Sequence, residues 1–161
     1  MKITPQRHVV KGLILAALII AADQGSKLAM LEAFQQIPPP IEVAPFFNLT
    51  LVMNRGMSFG LLSGLDAVFV MIGITLIILS AVVVWLWRTP DSWLAWPLGL
   101  IIGGATGNII DRFRYGAVVD FLDVHIGVYH WPAFNVADSA IVVGVLLIVW
   151  RSLILHDTRT M

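Results

Sequence analysis

Two aspartates, Asp120 and Asp138, are residues of the right type to hydrolyse a peptide bond. Two carboxyl groups in a site with restricted water can share one proton, because the charge of each opposes ionisation of the other. One then acts as the base toward a water molecule, while the other donates a proton to the substrate carbonyl. This is the chemistry of aspartic proteolysis. The spacing along the chain fixes no distance between the two side chains, so the elements that carry them must bring them together.

The surroundings of Asp120 favour a strand. In the run Val118 to Leu122, a strand places Asp120 on the same face as those two apolar residues. Desolvation on such a face raises the pKa of a carboxyl group. The alternative is an ordinary turn aspartate near Gly116, and the sequence leaves both open.

Asp138 stands at the beginning of the last apolar segment, three positions after Asn135. This spacing predicts that Asn135 is an N-cap and that Asp138 is the reciprocal acid of a capping box. The helix dipole also stabilises an acid in the first turn. Capping therefore explains Asp138 by itself, and only its combination with Asp120 indicates catalysis.

Ionisable residues inside apolar segments are expected to be paired or functional, since a charge at membrane depth costs about 2.5 kcal/mol or more. Asp23 and Lys27 are four positions apart and share a helical face. They form either a self-neutralising pair or a part of a functional site. Asn108 and Arg112 share a face in the same way, and their alternative is an interfacial stop signal whose arginine extends to the headgroups.

Asp111 lies near the predicted C-terminus of the third helix, where the helix dipole disfavours an anion. A cation has to offset this cost. Arg112 and Arg114 are the nearest candidates along the chain. We therefore expect Asp111 to pair with a nearby arginine.

Other site chemistries find little support in the sequence. There is no cysteine, which excludes disulfides, thiolate metal sites and cysteine nucleophiles. A metal site at His125 and His130 requires both to converge with Asp123, and no zincin spacing is present, so we expect interfacial polar residues instead. Ten Lys and Arg balance ten Asp and Glu, which leaves no basic surface for nucleic acid.

The composition indicates an integral membrane protein. Of 161 residues, 58% are hydrophobic and 12% are charged, against roughly 25% charged in soluble domains. A spanning helix needs about 20 apolar residues and satisfies its own backbone hydrogen bonds. We predict a single membrane domain, residues 1–161, with spans at 9–31, 67–87, 93–110 and 136–155. A stripe of glycines in the third span predicts close helix packing: Gly99, Gly103 and Gly107.

The two longer connections, at about 41–57 and 117–130, have strand-like patterns of alternating or β-branched residues. The predicted fold class is therefore an all-α membrane bundle of four transmembrane helices with a small β-sheet on the outer membrane surface. Four spans place both termini on one side. The positive charges near the short connections favour the cytoplasm for that side.

Five separated motifs follow one another along the chain. They are Asp23-Gln24-x-Ser26-Lys27, Asn54-x-Gly56-x-x-Phe59, Gly104-x-x-Gly107-Asn108-x-x-Asp111-Arg112, Val118-Val119-Asp120-Phe121 and Phe134-Asn135-x-Ala137-Asp138-Ser139. In this order they resemble the motifs of the signal peptidase II (lipoprotein signal peptidase) family, which are bacterial inner-membrane aspartyl proteases. The resemblance covers residues 13–150. Arg55 and Met57-Ser58 depart from the family pattern and put only local loop contacts in doubt.

The resemblance implies a periplasmic β-cradle, a short interfacial helix and cytoplasmic termini. It implies that Asp120 and Asp138 are the catalytic pair. It also implies that further residues orient this pair or bind the substrate: Asp23, Lys27, Asn54, Gly56, Asn108, Arg112, Asn135 and Ala137.

The implied substrate is a prolipoprotein whose cysteine already bears diacylglycerol, and cleavage occurs immediately before that cysteine. Membrane lipid and inhibitors of the globomycin type are the other implied partners. No metal or other cofactor is implied, and we expect a monomer whose site faces the periplasmic side of the bacterial inner membrane. The outer sheet and residues 58–66 are expected to cover bound substrate and to limit its access to solvent, as mobile lids do.

Proton-coupled transport is the main alternative function, because ionisable residues inside a membrane also form proton relays. It predicts charges near mid-membrane and repeated halves. In this chain the charges gather toward one face, and no repeat is visible. A second alternative, a non-enzymatic assembly factor that packs through its glycines, would tolerate asparagine in place of either aspartate.

Overall fold

The computed structural model describes residues 7–56 and 65–157. The helices are α1 (Arg7–Gln36), α2 (Leu65–Arg88), α3 (Ala95–Tyr115) and α4 (Val136–Asp157). The strands are β1 (Ile41–Ala44), β2 (Phe47–Asn54), β3 (Val118–Ile126) and β4 (Tyr129–His130), and a 3₁₀ turn at Ser92–Leu94 precedes α3.

The described part of the chain contains four helices that are long and apolar enough to cross a membrane. Large apolar side chains lie exposed on them, such as Ile77 at 72% and Leu146 at 60% exposure. Such surfaces are a liability in water but are suited to contact with lipid tails. The predicted fold class, a four-helix membrane bundle with a small sheet, is confirmed.

Helix α3 is the centre of the bundle, since it packs against α1, α2 and α4. Its glycines allow backbones to meet directly. A Cβ added to Gly99 would lie 2.6 Å from the Gly12 carbonyl oxygen of α1, and one added to Gly103 would lie 2.8 Å from that of Ala16. The close packing predicted from the glycine stripe is therefore present.

The sheet is antiparallel, in the order β1-β2-β3-β4. It lies at one end of the bundle, because α1 and α3 run into β1 and β3 while β4 leads into α4. We call this the sheet end. In the register of β2 with β3, Val52 lies opposite Asp120 and Asn54 lies opposite Val118. Asn54 is thereby placed beside Asp120.

Helix α3 runs past residue 110, where the predicted span ends, and stops at Tyr115. Gly116 ends it in the left-handed conformation (φ 65°) and donates its N–H to the Arg112 carbonyl oxygen. Asp111 therefore lies within the helix. The expected cover at 58–66 lies outside the described residues, apart from its last two, which begin α2. No short interfacial helix occurs at the sheet end within residues 7–56 and 65–157, and that element stays a prediction.

Candidate active site

Asp120 is buried on strand β3, with 1% of the residue exposed. Its Oδ2 accepts a hydrogen bond from the Asn54 amide (2.9 Å), and its Oδ1 accepts one from the Asn135 amide (2.7 Å). The strand position predicted from the alternation is therefore present, and the turn alternative is wrong. Although its neighbours in sequence are apolar, the carboxyl group itself meets amide donors.

Asp138 lies in the first turn of α4 and forms the predicted capping box with Asn135. The Asn135 Oδ1 accepts from the Asp138 N–H (2.9 Å), and the Asp138 Oδ2 accepts from the Asn135 N–H (3.2 Å). The other oxygen of Asp138 accepts from the Asn108 amide (2.8 Å). Capping therefore holds the carboxyl group in place without removing it from the site.

Asn135 connects the two acids, since it contacts both. It is fully buried, and its amide also reaches the Asn108 Oδ1 (3.2 Å) and the Val119 carbonyl oxygen (3.3 Å). The structure thus brings Asp120 and Asp138 to the same asparagine at the sheet end, although they come from different elements.

The environment of Asp120 raises the pKa of its carboxyl group above that of an ordinary aspartate. Burial raises the pKa of this carboxyl, hydrogen bonds from Asn54 and Asn135 work in the opposite direction, and the nearby Asp138 carboxylate raises it further. The net result is a pKa of about 6 for Asp120. Such a group is able to hold a proton near neutral pH, as one member of a proton-sharing pair must.

Beneath the two acids lies a buried ionic cluster centred on Lys27, which is 1% exposed. The Lys27 Nζ lies 2.8 Å from an oxygen of Asp23, 2.8 Å from an oxygen of Asp111, and 3.1 Å from the Asn108 Oδ1. Asp23 and Lys27 are therefore not an isolated pair on one helix. They connect α1 to the residues of α3 that adjoin the site.

The expected pairing of Asp111 with an arginine is wrong. Its cation comes from α1, because α1 and α3 pack together and present Lys27 to it. Arg112 instead donates to the Asn108 carbonyl oxygen within its own helix (3.2 Å), and Arg114 donates to the Gln24 Oε1 (3.3 Å). The nearest cation along the sequence is not the nearest one in space.

Gln24 is a neighbour of the site that the sequence reasoning did not single out, although it lies inside the first motif. Its amide nitrogen donates to Asp111 Oδ1 (2.8 Å), Asp23 Oδ2 (3.2 Å) and the Gly107 carbonyl oxygen (3.2 Å). The cluster also binds backbone. Asp23 accepts from the Ala137 N–H (2.9 Å), and Asp111 accepts from the Val119 N–H (3.0 Å).

The remaining predicted site residues lie around this centre. Gly56 has a φ of 84° and donates its N–H to the Asn54 Oδ1 (2.9 Å), which leaves the Asn54 NH₂ directed at Asp120. Ala137 is fully buried against α3, where a Cβ on Gly104 would collide with its carbonyl oxygen. The Arg112 guanidinium is near enough to both candidate acids for an electrostatic interaction.

His130 hydrogen-bonds to Asp123, and His125 stacks on His130. The His130 Nδ1 lies 2.8 Å and 2.9 Å from the two Asp123 oxygens, the Asn48 amide donates to the same carboxylate, and the His125 ring stacks on His130 at 4.7 Å. Burial works against ionisation of Asp123, but these hydrogen bonds outweigh it and lower the pKa of its carboxyl. Within the described ranges, no group of three or more metal-ligating residues is found.

Comparison with known proteins decides the family. The family model described as "Signal peptidase (SPase) II" matches residues 15–154. The chain belongs to the signal peptidase II family. Curated members of this family include the lipoprotein signal peptidases of Methylocella silvestris, 42% identical over 89% of this chain and 86% of that protein, and of Syntrophotalea carbinolica, 44% identical over 90% and 94%.

Two solved structures of a bacterial membrane enzyme, obtained by the in meso method at 2.3 Å and 1.9 Å resolution, have a similar fold. They superpose with TM-scores of 0.73 and 0.76 at 36% and 35% identity, covering 92% and 89% of this chain and 89% and 92% of theirs. Signal peptidase II proteins are aspartic-type proteases that process lipoprotein precursors. The transporter alternative has no support.

Replacing Gly107 with alanine is expected to lower the thermal stability of this signal peptidase II. The added Cβ would lie 2.5 Å from the Asp23 Oδ2, and overpacking of this kind costs typically about 1–3 kcal/mol. Gly25→Ala is the matched control, since a Cβ there meets nothing within 4 Å. Thermal unfolding in detergent measures both variants. Equal unfolding temperatures for the two would contradict the packing described here.

Proposed function

We propose that Asp120 and Asp138 are the catalytic dyad with which this signal peptidase II removes the signal peptide of a diacylglyceryl-modified prolipoprotein, immediately before the lipidated cysteine. The observation that carries the proposal is the position of Asn135, which hydrogen-bonds to both carboxyl groups. The side-chain amide of Asn135 donates to Asp120 and its backbone N–H donates to Asp138, so one buried residue holds both acids, which supports a shared role in aspartic proteolysis.

The environments of the two acids support different roles in the reaction. Asp138 lies at the N-terminus of α4 and accepts from Asn108, and both features stabilise its anion. Asp120 has the raised pKa and supplies the proton. In the reaction Asp138 removes a proton from water as the oxygen attacks the scissile carbonyl, and Asp120 donates its proton to the carbonyl oxygen. When the C–N bond breaks, the proton held by Asp138 passes to the leaving amine, and a hydroxyl group of the tetrahedral intermediate returns a proton to Asp120 as the product carboxyl group forms.

The other polar residues hold the dyad or line the approach to it. Asn54, oriented by the turn at Gly56, keeps one face of Asp120 hydrogen-bonded, while Asn108 does the same for Asp138. The Arg112 guanidinium is near enough to both acids for an electrostatic interaction, and its role in this proposal is to add positive charge near the developing oxyanion. No step in this scheme requires a metal or cofactor.

The membrane setting suits a lipidated substrate. The signal peptide lies along the apolar bundle, and the diacylglyceryl chains stay in the lipid beside the sheet end. The β3–β4 hairpin is strongly apolar and exposed, with Val128 at 85% and Trp131 at 70%, which suits contact with a membrane surface. We place both termini in the cytoplasm and the sheet end on the periplasmic side of the inner membrane. The protein acts as a monomer, and globomycin-type cyclic peptides occupy the same site.

The test of this function is cleavage of two purified precursors that differ only in the diacylglyceryl group on the cysteine. The expected result is release of the signal peptide from the lipidated precursor, with little cleavage of the unmodified one. Mass spectrometry of the products locates the cleaved bond. Cleavage of both precursors at equal rates, or at another bond, would contradict the proposed substrate.

The carboxyl group of Asp120 is expected to titrate at a pH of about 6. The group is protonated below this pH and loses its proton as the pH rises through it. Because the pKa is raised, this loss occurs at a higher pH than in an ordinary aspartate. The free dyad then loses the proton that catalysis needs, so kcat/KM is expected to fall on the alkaline side. Carbon-13 NMR of labelled aspartate measures the midpoint directly, with Asp120→Asn identifying the signal.

Asn54→Ala should move this midpoint upward, because the amide of Asn54 stabilises the ionised form. Asn48→Ala is the matched control, since Asn48 donates to Asp123 and not to Asp120. A midpoint near the ordinary aspartate value in the unaltered protein, or the same midpoint in both variants, would contradict this account.

A further inference from the structure

In the buried cluster, Asp23 and Asp111 accept hydrogen bonds from matching sets of donors, which a simple ion pair would not require. Asp23 and Asp111 each lie 2.8 Å from the same Lys27 ammonium group. Each also accepts from the same Gln24 amide, at 3.2 Å and 2.8 Å. Each accepts one backbone N–H, at 2.9 Å and 3.0 Å. Two carboxylates on neighbouring helices therefore have the same three kinds of donor.

The two backbone N–H groups identify what the cluster holds. Asp23 binds the N–H of Ala137, the residue directly before Asp138. Asp111 binds the N–H of Val119, the residue directly before Asp120. The cluster thus hydrogen-bonds to the backbone directly before each acid. Lys27 connects the two carboxylates that make these bonds. Neither Asp23 nor Asp111 hydrogen-bonds to the catalytic carboxylates themselves.

We propose that Asp23, Lys27 and Asp111, with Gln24, form a clamp that sets the separation of the two catalytic aspartates. These are positioning residues, and the inference rests on the proposed function of Asp120 and Asp138. The clamp connects the start of α4 to the start of β3 through Asp23 and Lys27 of α1 and Asp111 of α3. A change in either backbone contact therefore moves one acid relative to the other. A displacement of about 1 Å is enough to cost roughly 10²-fold in rate.

The use of charged groups here fits a positioning role. Buried ion pairs often add little stability relative to apolar packing, because the desolvation of each ion is costly. A carboxylate, however, offers two acceptor oxygens, and in both Asp23 and Asp111 each oxygen faces a donor. Asparagine has only one acceptor oxygen. In either orientation its NH₂ would therefore face another donor. At position 23 this donor is the Ala137 N–H or the Lys27 ammonium group, and at position 111 it is the Gln24 NH₂ or the Val119 N–H together with Lys27.

The test compares Asp111→Asn and Asp23→Asn with Asp91→Asn in the purified full-length protein. Asp91 is the matched control, because it pairs with Arg151 at the opposite end of the bundle. With a lipidated peptide substrate, both clamp variants are expected to lose at least about tenfold in kcat while KM stays within about threefold. Asp91→Asn is expected to keep both values. The titration midpoint of Asp120 should also shift in Asp111→Asn, which a purely structural role would not predict.

Rates are taken per molecule in the monodisperse fraction, so that misfolded protein does not count. Gln24→Leu serves if either aspartate variant fails to fold, since it keeps all three charges and is expected to lower kcat about threefold or more. Clamp variants with the kcat of Asp91→Asn, or with a raised KM alone, would overturn the clamp. Asp120→Asn in the same assay separates the two hypotheses: if it still cleaves, the proposed function fails first.

Discussion

Asparagine in place of Asp120 or of Asp138 is expected to reduce cleavage of a lipidated prolipoprotein by about 10²- to 10⁴-fold. The amide has nearly the shape of the carboxylic acid but neither removes a proton from water nor donates one to the carbonyl. Each substitution also replaces one acceptor oxygen by a donor. At Asp120 this affects the contacts to Asn54 and Asn135, each about 1 kcal/mol, so the protein should still fold.

The matched control is Asp123→Asn. Asp123 lies on the same strand as Asp120 and accepts hydrogen bonds from two side chains, Asn48 and His130. Its carboxylate contacts neither of the two proposed catalytic acids. It is expected to keep nearly full activity. The measurement is the initial rate of signal-peptide release at equal amounts of folded protein. Substantial cleavage by both dyad variants would contradict the mechanism, and inactivity of Asp123→Asn would indicate that the sheet as a whole was disturbed.

Lys27→Met is expected to lower the free energy of unfolding by about 3–5 kcal/mol. Methionine fits the space of the lysine stem, but two buried carboxylates then face each other without a cation. Asp23 and Asp111 are both fully buried, so neither regains hydration. The loss of one partner from a buried ionic cluster is costly for this reason, whatever the intact cluster contributes.

Lys11→Met provides the comparison, because Lys11 lies on the same helix and is exposed. Chemical or thermal unfolding in one detergent measures both variants. A large loss of stability is expected for Lys27→Met and almost none for Lys11→Met. Equal stability of the two variants would mean that Asp23 and Asp111 do not depend on the positive charge of Lys27. The ionic account of the cluster would then be wrong.

Local patterns in the sequence predicted several features of the site correctly. The alternation in the run from Val118 to Leu122 placed Asp120 on a strand, and the spacing of Asn135 and Asp138 predicted their capping box. These features depend on residues a few positions apart, whose geometry the periods of strand and helix determine. The glycine stripe predicted close packing for the same reason.

Contacts between distant segments were not predictable in this way. The sequence offered Arg112 and Arg114 as partners of Asp111, whereas the partner in the structure is Lys27 from another helix. Gln24 received no role because a glutamine beside an aspartate has no distinctive spacing. The three hydrogen bonds that its amide nitrogen donates go to α3 and to its own neighbour Asp23.

The amino-acid sequence by itself determined the membrane helices, the strands and the local placement of each acid, because hydrophobicity and short-range hydrogen bonding act between neighbouring residues. Only the tertiary structure decided that Asp120 and Asp138 meet at Asn135 and that a lysine of α1 lies between two buried carboxylates. The physical reason is that helix packing sets these distances. The close approach at Gly99 and Gly103 brings α1 against α3, and Lys27 of α1 then meets Asn108 and Asp111 of α3.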